Sequence, residues 1–331
     1  MRKASRDDGA DDAPAAPAAR IEPAAAPADG GAARPGARDL SFLRAMVDRR
    51  LGLLVPSTAL HPAALHAAMR HILLAPGKRL RPLLALSAAL QLGVSEHAVL
   101  DFGCAVEMIH AASLIMDDLP CMDDAALRRA QPTTHVAFGE DVALLAAIAL
   151  LSRAFGVAAD APGVSAPVRL DAVARLSMAV GSLGLCGGQF DDLRPAAGRP
   201  ARATEEVNRR KTGVLFTLTA EIAGRVADAS AARMADLAAF AAHVGRAYQI
   251  LDDLLDATAS RDALGKDVGQ DAGKATLIAA LGAPQARALL DTHLARAAEA
   301  SHRIGPNDEG HQPLLLFLDA AFGDLTRHHA P

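Results

Sequence analysis

Hydrophobic positions recur at three- and four-residue steps over most of this chain, the spacing of helices that bury one face. The clearest stretch covers roughly 231–256. There Met234, Leu237, Ala241, Val244, Tyr248, Leu251 and Leu255 form an apolar stripe, with Gly245, Gln249, Asp252 and Asp256 beside it. Val99 to Ile115 and Val142 to Leu151 are apolar enough to read as buried helices. Clusters of Pro, Gly, Asp and Ser at 75–77, 160–163, 195–200, 260–273 and 305–307 break the pattern into segments. No run alternates polar and apolar residues well enough to predict a sheet, and no repeat of solenoid period appears. The expectation is an all-α, single-domain helical bundle over 39–331. Residues 1–38 are Ala, Pro, Gly and Asp in low-complexity order and read as a disordered tail.

Composition agrees with helices. Of 331 residues 51% are hydrophobic but only 3% aromatic, so the core must be Ala, Leu, Val and Ile, with Ala and Leu the strong helix formers. The net charge of −4 argues against a general nucleic-acid partner. Cys104, Cys121 and Cys186 match neither a disulfide framework nor a zinc site, which points to a reducing cytoplasm. The longest uninterrupted apolar run has ten residues (Val142 to Leu151), about half the ~20 of a membrane span, so no span is expected. The acidic pair Asp7-Asp8 and the lack of an apolar segment after it count against a signal or transit peptide.

Two aspartate clusters change the picture from fold to chemistry. The first, Asp117-Asp118-Leu119-Pro120-Cys121-Met122-Asp123-Asp124, follows the Val99–Ile115 helix, at the end where the helix dipole is negative. Pro120 disfavours helix at Leu119, so the helix should end or kink inside the motif and so bring Asp123 back towards Asp117. The second is Asp252-Asp253-Leu254-Leu255-Asp256, where Asp252 and Asp256 face the same way with Gln249 one turn before. For either cluster alone a solvated acidic patch is as good a reading as a functional site. Two of them, each in an apolar helix and each followed by basic residues, read as sites for Mg²⁺, which favours carboxylates, water and phosphate oxygens.

The basic residues are Lys78, Arg79 and Arg81 in Gly77-Lys78-Arg79-Leu80-Arg81-Pro82, then Arg128-Arg129, Arg209-Arg210-Lys211, Lys266 and Lys274. Arg offers forked hydrogen bonds to phosphate and Lys a compact charge. From Gly77 to Thr276 these motifs, with Glu107-Met108-Ile109-His110, Gly188-Gln189-Phe190-Asp191-Asp192 and Lys211-Thr212-Gly213, stand in an order that resembles the trans-prenyltransferases, the farnesyl and geranylgeranyl diphosphate synthases.

The resemblance implies the isoprenoid synthase fold, helices around a central cavity, usually paired as a homodimer. It implies Asp117, Asp118, Asp123, Asp252, Asp253 and Asp256 as ligands of about three Mg²⁺ ions, with Mn²⁺ able to substitute. Lys78, Arg81, His110 and Arg129 match positions that hold isopentenyl diphosphate. Arg128, Lys211 and Lys266 match those that hold the allylic partner (dimethylallyl, geranyl or farnesyl diphosphate), with Thr212 and Gln249 lining the reacting carbons. A lid is expected, with the 260–273 loop and the tail near Arg327 as candidates.

Farnesyl-producing relatives tend to carry an aromatic where Ala112 stands. Ala112 therefore predicts geranylgeranyl diphosphate over farnesyl diphosphate, with Met108 or Ile109 forming part of the pocket floor. The chain departs from the family at Pro76, at Ala125-Ala126 and at Ala130, where Gly usually follows the arginine pair. Two rivals fit less well: a class I terpene cyclase, whose second metal motif normally mixes Asn, Ser or Thr with Glu and which has no second diphosphate for Lys78 and Arg81, and a non-catalytic regulatory subunit, since no aspartate of either motif is lost.

Overall fold

The computed structural model describes residues 39–194, 201–258 and 281–327. The Ala/Pro-rich stretch 1–38, Lys266, Lys274 and the 260–273 loop lie outside the described residues, as does the side chain of Arg327.

Asp39 starts the bundle as an N-cap, its carboxylate accepting from the Ser41 amide at 3.1 Å. Helices α1 (Leu40–Leu54), α2 (Ala63–Leu73) and α3 (Leu80–Gln91) lead to α4 (His97–Asp117), which packs against α3, α1 and α2. Fifteen of the 21 residues of α4 are buried, which is why the segment shows no polar face in sequence. A bidentate pair from Arg50 to Asp101, both contacts 2.7 Å, ties α1 to α4.

A short hairpin follows α4, with β1 (Leu127–Arg128) antiparallel to β2 (Gln131–Pro132). The sequence reading missed it, since two residues per strand leave no alternation to detect. Then come α5 (Thr134–Phe138), α6 (Glu140–Ala159), α7 (Ala166–Val180), α8 (Leu185–Asp192) and α9 (Ala201–Asn208). A π-helical turn, Arg209–Gly213, opens into α10 (Val214–Val226), which lies against α3, α4, α7 and α11 (Ala231–Thr258). Helices α12 (Ala283–Ile304) and α13 (Pro313–Arg327) close the bundle on α11 and α3 respectively. Phe102, Phe216, Phe240 and Phe317 fill its interior.

One buried side chain ties α3 to the junction of α12 and α13. Gln91 at the end of α3 donates to the Ser301 and Gly305 carbonyls at 3.1 and 2.9 Å and to Ser301 Oγ at 3.1 Å. Its Oε1 accepts from the Leu314 amide at 2.9 Å.

Two expectations need correction. The Val142–Leu151 segment is not a wholly buried helix: Leu144, Leu145 and Ile148 on α6 are about half exposed, and Leu170 and Met178 on α7 more so. The segment is apolar on every side, but the single chain covers one side only. In addition, the stretches His97–Asp117, Glu140–Ala159 and Ala166–Asp192 are each long and apolar enough to cross a membrane by length and composition. Uninterrupted runs do not reveal this, because charged and polar residues split these stretches. Fifteen of the 21 residues of the first are buried inside the fold, which accounts for its composition without a bilayer.

Candidate active site

The first aspartate motif folds as the Pro120 break requires. Helix α4 ends at Asp117, and the chain turns back so that the Asp123 amide donates to the Asp117 carbonyl at 2.9 Å. The Ala125 amide donates to the Asp118 carbonyl at 3.3 Å, closing the loop. Asp123 is thereby returned to Asp117, although the two would not share a face on a straight helix. Burial pushes the Asp117 carboxyl up to about 6; Lys211 opposes that shift and Asp123 adds to it. A carboxyl so placed gains from any cation that reaches it.

Asp118 is fully buried, and both its oxygens accept from Arg128 Nε, at 2.8 and 2.9 Å, with a further contact of 2.7 Å to the second guanidinium nitrogen. Its side chain is therefore directed to the hairpin. Arg128 sits on β1, while Arg129 and Ala130 form the two-residue loop with φ of 55° and 60°. That double left-handed turn is the type that matches the twist of the strands, and it favours Gly. Ala130 stands in that conformation without glycine's freedom.

A second group gathers opposite. The Arg129 guanidinium lies over the Gly77 backbone, where a Cβ would come within 3.1 Å of it. Arg81 is buried, its guanidinium 4.8 Å from the centre of the Phe216 ring, and its Nε has no hydrogen-bond partner among the described residues. His110 is held well below its ordinary value by burial and then by Arg81, Arg129, Arg128 and Arg79. The structure thus brings Arg81, His110 and Arg129 together, with Lys78 exposed at the edge. Arg79 has a different part: it bonds Asp48 at 2.7 Å, Glu107 at 3.1 Å and the Ala75 carbonyl at 2.9 Å, locking the loop that presents its neighbours.

The third group joins the π turn to α11. Thr212 Oγ1 donates to Gln249 Oε1 at 2.9 Å, and Gln249 Nε2 donates to Asp253 Oδ1 at 2.8 Å. The contact is possible because Gly245 faces Gly213, where a Cβ would sit 3.0 Å from the opposing Cα. Lys211 Nζ donates to Asp192 at 2.5 Å, and Arg210 pairs with Asp191. The sequence assigns no task to the Gly188–Asp192 motif and does not mark Phe216 as part of the site. The signal for Phe216 was its place one turn after Thr212 on the same helix.

Among the described residues no three carboxylates, imidazoles or thiols converge tightly enough to hold a metal ion by themselves. The donor set still fits a hard divalent cation, since the two motifs supply only carboxylate oxygens and Asp117 is short of positive charge. Ala112, Met108 and Ile109 are all buried on α4. A cavity of about 450 Å³ runs between α7, the π turn, α10 and α11, lined by Leu183, Val214, Leu218, Ala242 and Gln249 among others.

A family model described as polyprenyl synthetase matches residues 62–305. The geranylgeranyl diphosphate synthase of Pantoea ananas is 47% identical over 272 residues, 81% of this chain and 88% of that protein. The enzyme of that name from Pseudescherichia vulneris is 45% identical over 260 residues, 78% of this chain and 83% of its own length. Among solved structures, an FPP/GFPP synthase from Zymomonas mobilis superposes with a TM-score of 0.74 at 31% identity, covering 86% of this chain and 96% of that one. A geranyltransferase from Helicobacter pylori, complexed with magnesium and isoprenyl diphosphate, superposes at 0.75 with 26% identity, covering 90% of this chain and all of that one.

Proposed function

The chain belongs to the polyprenyl synthetase family, and from that premise we propose that it joins isopentenyl diphosphate to an allylic diphosphate and makes geranylgeranyl diphosphate. The observation that carries this reading is a chain of contacts from the basic turn to the second aspartate motif: Thr212, next to Lys211, donates to Gln249 at 2.9 Å, and Gln249 donates to Asp253 at 2.8 Å. The names of the similar bacterial enzymes support the product.

In this reading Arg81, His110 and Arg129, with Lys78 at the edge, hold the isopentenyl diphosphate. Burial and the surrounding arginines hold His110 well below its ordinary value, which leaves the positive charge there to the arginines. Lys211 and Arg128 hold the allylic diphosphate, and so does Lys266. Their charges stabilise the diphosphate as its carbon–oxygen bond breaks, the place where preorganised charge counts most. Mg²⁺ (about three ions) bound by Asp117, Asp123, Asp252 and Asp256 would add charge neutralisation at the same leaving group. Thr212, whose proton is committed to Gln249, turns oxygen lone pairs towards the allylic cation. The isopentenyl double bond then attacks that cation, and loss of a proton to the released diphosphate completes the product.

The exposed apolar side of α6 and α7, with Leu145, Ile148, Leu170 and Met178, supports pairing with a second copy of the chain. Three free thiols support a cytoplasmic setting. The test of function is to incubate the purified chain with isopentenyl and farnesyl diphosphates and Mg²⁺, then identify the product by mass spectrometry. Geranylgeranyl diphosphate is expected; no elongation, or a cyclised hydrocarbon, would overturn the reading.

A further inference from the structure

Helix α8 touches the π turn more closely than side chains normally permit. A Cβ on Gly188 would lie 2.4 Å from the Lys211 amide nitrogen and 2.9 Å from its Cα. This contact sets two consecutive acids of α8 against two consecutive bases of the turn. Asp191 pairs with Arg210, and Asp192 accepts from Lys211 Nζ at 2.5 Å. Both members of the Asp192–Lys211 pair are mostly buried, at 20% and 24% exposure, so the contact is more than a loose surface pair.

We propose that Asp192 is a positioning residue that occupies Lys211 in the empty site and hands it to the allylic diphosphate when that arrives. This rests on the prenyl-transfer reading above. A diphosphate oxygen and the Asp192 carboxylate compete for one cation with three donor hydrogens, and the two anions also repel each other across it. Asp192 thus weakens diphosphate binding, and its recapture of Lys211 speeds departure of inorganic diphosphate after the reaction. The Asp191–Arg210 pair keeps the turn in place while Lys211 changes partner.

The test is isothermal titration of the full chain with inorganic diphosphate in excess Mg²⁺, together with steady-state kinetics. Asp192→Asn is expected to bind diphosphate about three- to tenfold more tightly, the range set by a partly buried ion pair. It should also lower KM for the allylic substrate and lower kcat through slower release. Asp236→Asn, which breaks a surface pair with Arg303 elsewhere, should leave diphosphate affinity within about twofold of native. Unchanged or weaker binding by folded Asp192→Asn overturns the proposal.

If that variant does not fold, Asp192→Glu replaces it. Its carboxylate still competes, so affinity near the native value supports the proposal and markedly weaker binding overturns it. Failure of the handover is separable from failure of the reaction. A native chain that elongates prenyl diphosphates while Asp192→Asn binds diphosphate as native does would refute only the handover. Tighter binding by the variant without elongation by the native chain would refute only the reaction.

Discussion

Gly188→Ala is the sharpest perturbation of the site that leaves every charged group in place. The new methyl would lie 2.4 Å from the Lys211 nitrogen, 2.8 Å from the Arg210 carbonyl carbon and 2.9 Å from Lys211 Cα. All three are backbone atoms, so no side chain can swing aside. Ordinary contact requires about 3.5 Å, which forces α8 and the π turn apart by about 1 Å. Overpacking of this kind costs about 1–3 kcal/mol of stability. The functional cost should be larger in proportion, because a displacement of about 1 Å in a group that positions substrate can lower the rate about a hundredfold. Steady-state kinetics at saturating isopentenyl diphosphate, on protein whose helicity by circular dichroism is native, should show kcat/KM for the allylic substrate falling by about that factor. KM for isopentenyl diphosphate should hold, since Arg81, His110 and Arg129 lie on α3, α4 and the hairpin. A variant within about threefold of native would refute the idea that this contact sets Lys211.

Three other outcomes are expected. Ala130→Gly relieves a left-handed alanine at φ 60° and, after the entropy glycine adds to the unfolded chain, should stabilise the protein by up to about 1 kcal/mol, read as a small rise in Tm. His293 faces His243 with Nδ1 atoms 2.9 Å apart, and burial, then His243 and Arg246, depress it to about 4. The unfolded state therefore takes up its proton first, and stability is lost as pH falls from about 6.5 towards 4. Allowing for solvent screening of the partly exposed ring the loss is about 1–2 kcal/mol, and denaturation against pH should show it blunted in His293→Gln. Ala112→Phe should shift the product to farnesyl diphosphate by mass spectrometry; an unchanged product in folded protein would remove Ala112 from chain-length control. That residue is fully buried, so a lower Tm should accompany the shift.

The helices, the return of Asp123 and the grouping of Arg81, His110 and Arg129 were legible because each depends on local pattern or on motifs in a known order. Pro120 announces the end of α4 by its own chemistry. What stayed hidden depends on contact between distant segments. Asp118 turns to Arg128 through a hairpin too short to predict, and Lys211 meets Asp192 only because Gly188 lets two elements touch. The π character of Arg209–Gly213 is equally invisible, since its residues read as an ordinary helix start. Helix α6 was misjudged for the opposite reason, because its sequence shows how apolar it is and says nothing of what covers it.

Gln91 carries a consequence for how the protein is made. Its amide is satisfied by Ser301 and Gly305 on one side and by Leu314 on the other. On the ribosome α3 and α4 emerge early, yet this amide waits until nearly the whole chain has been translated. Each polar group left without a partner in a buried setting costs about 1–3 kcal/mol. A chain cut before Ser301 lacks every one of these partners, so α3, the helix that bears Arg81, should pack less stably, and such a truncated chain should show a lower Tm.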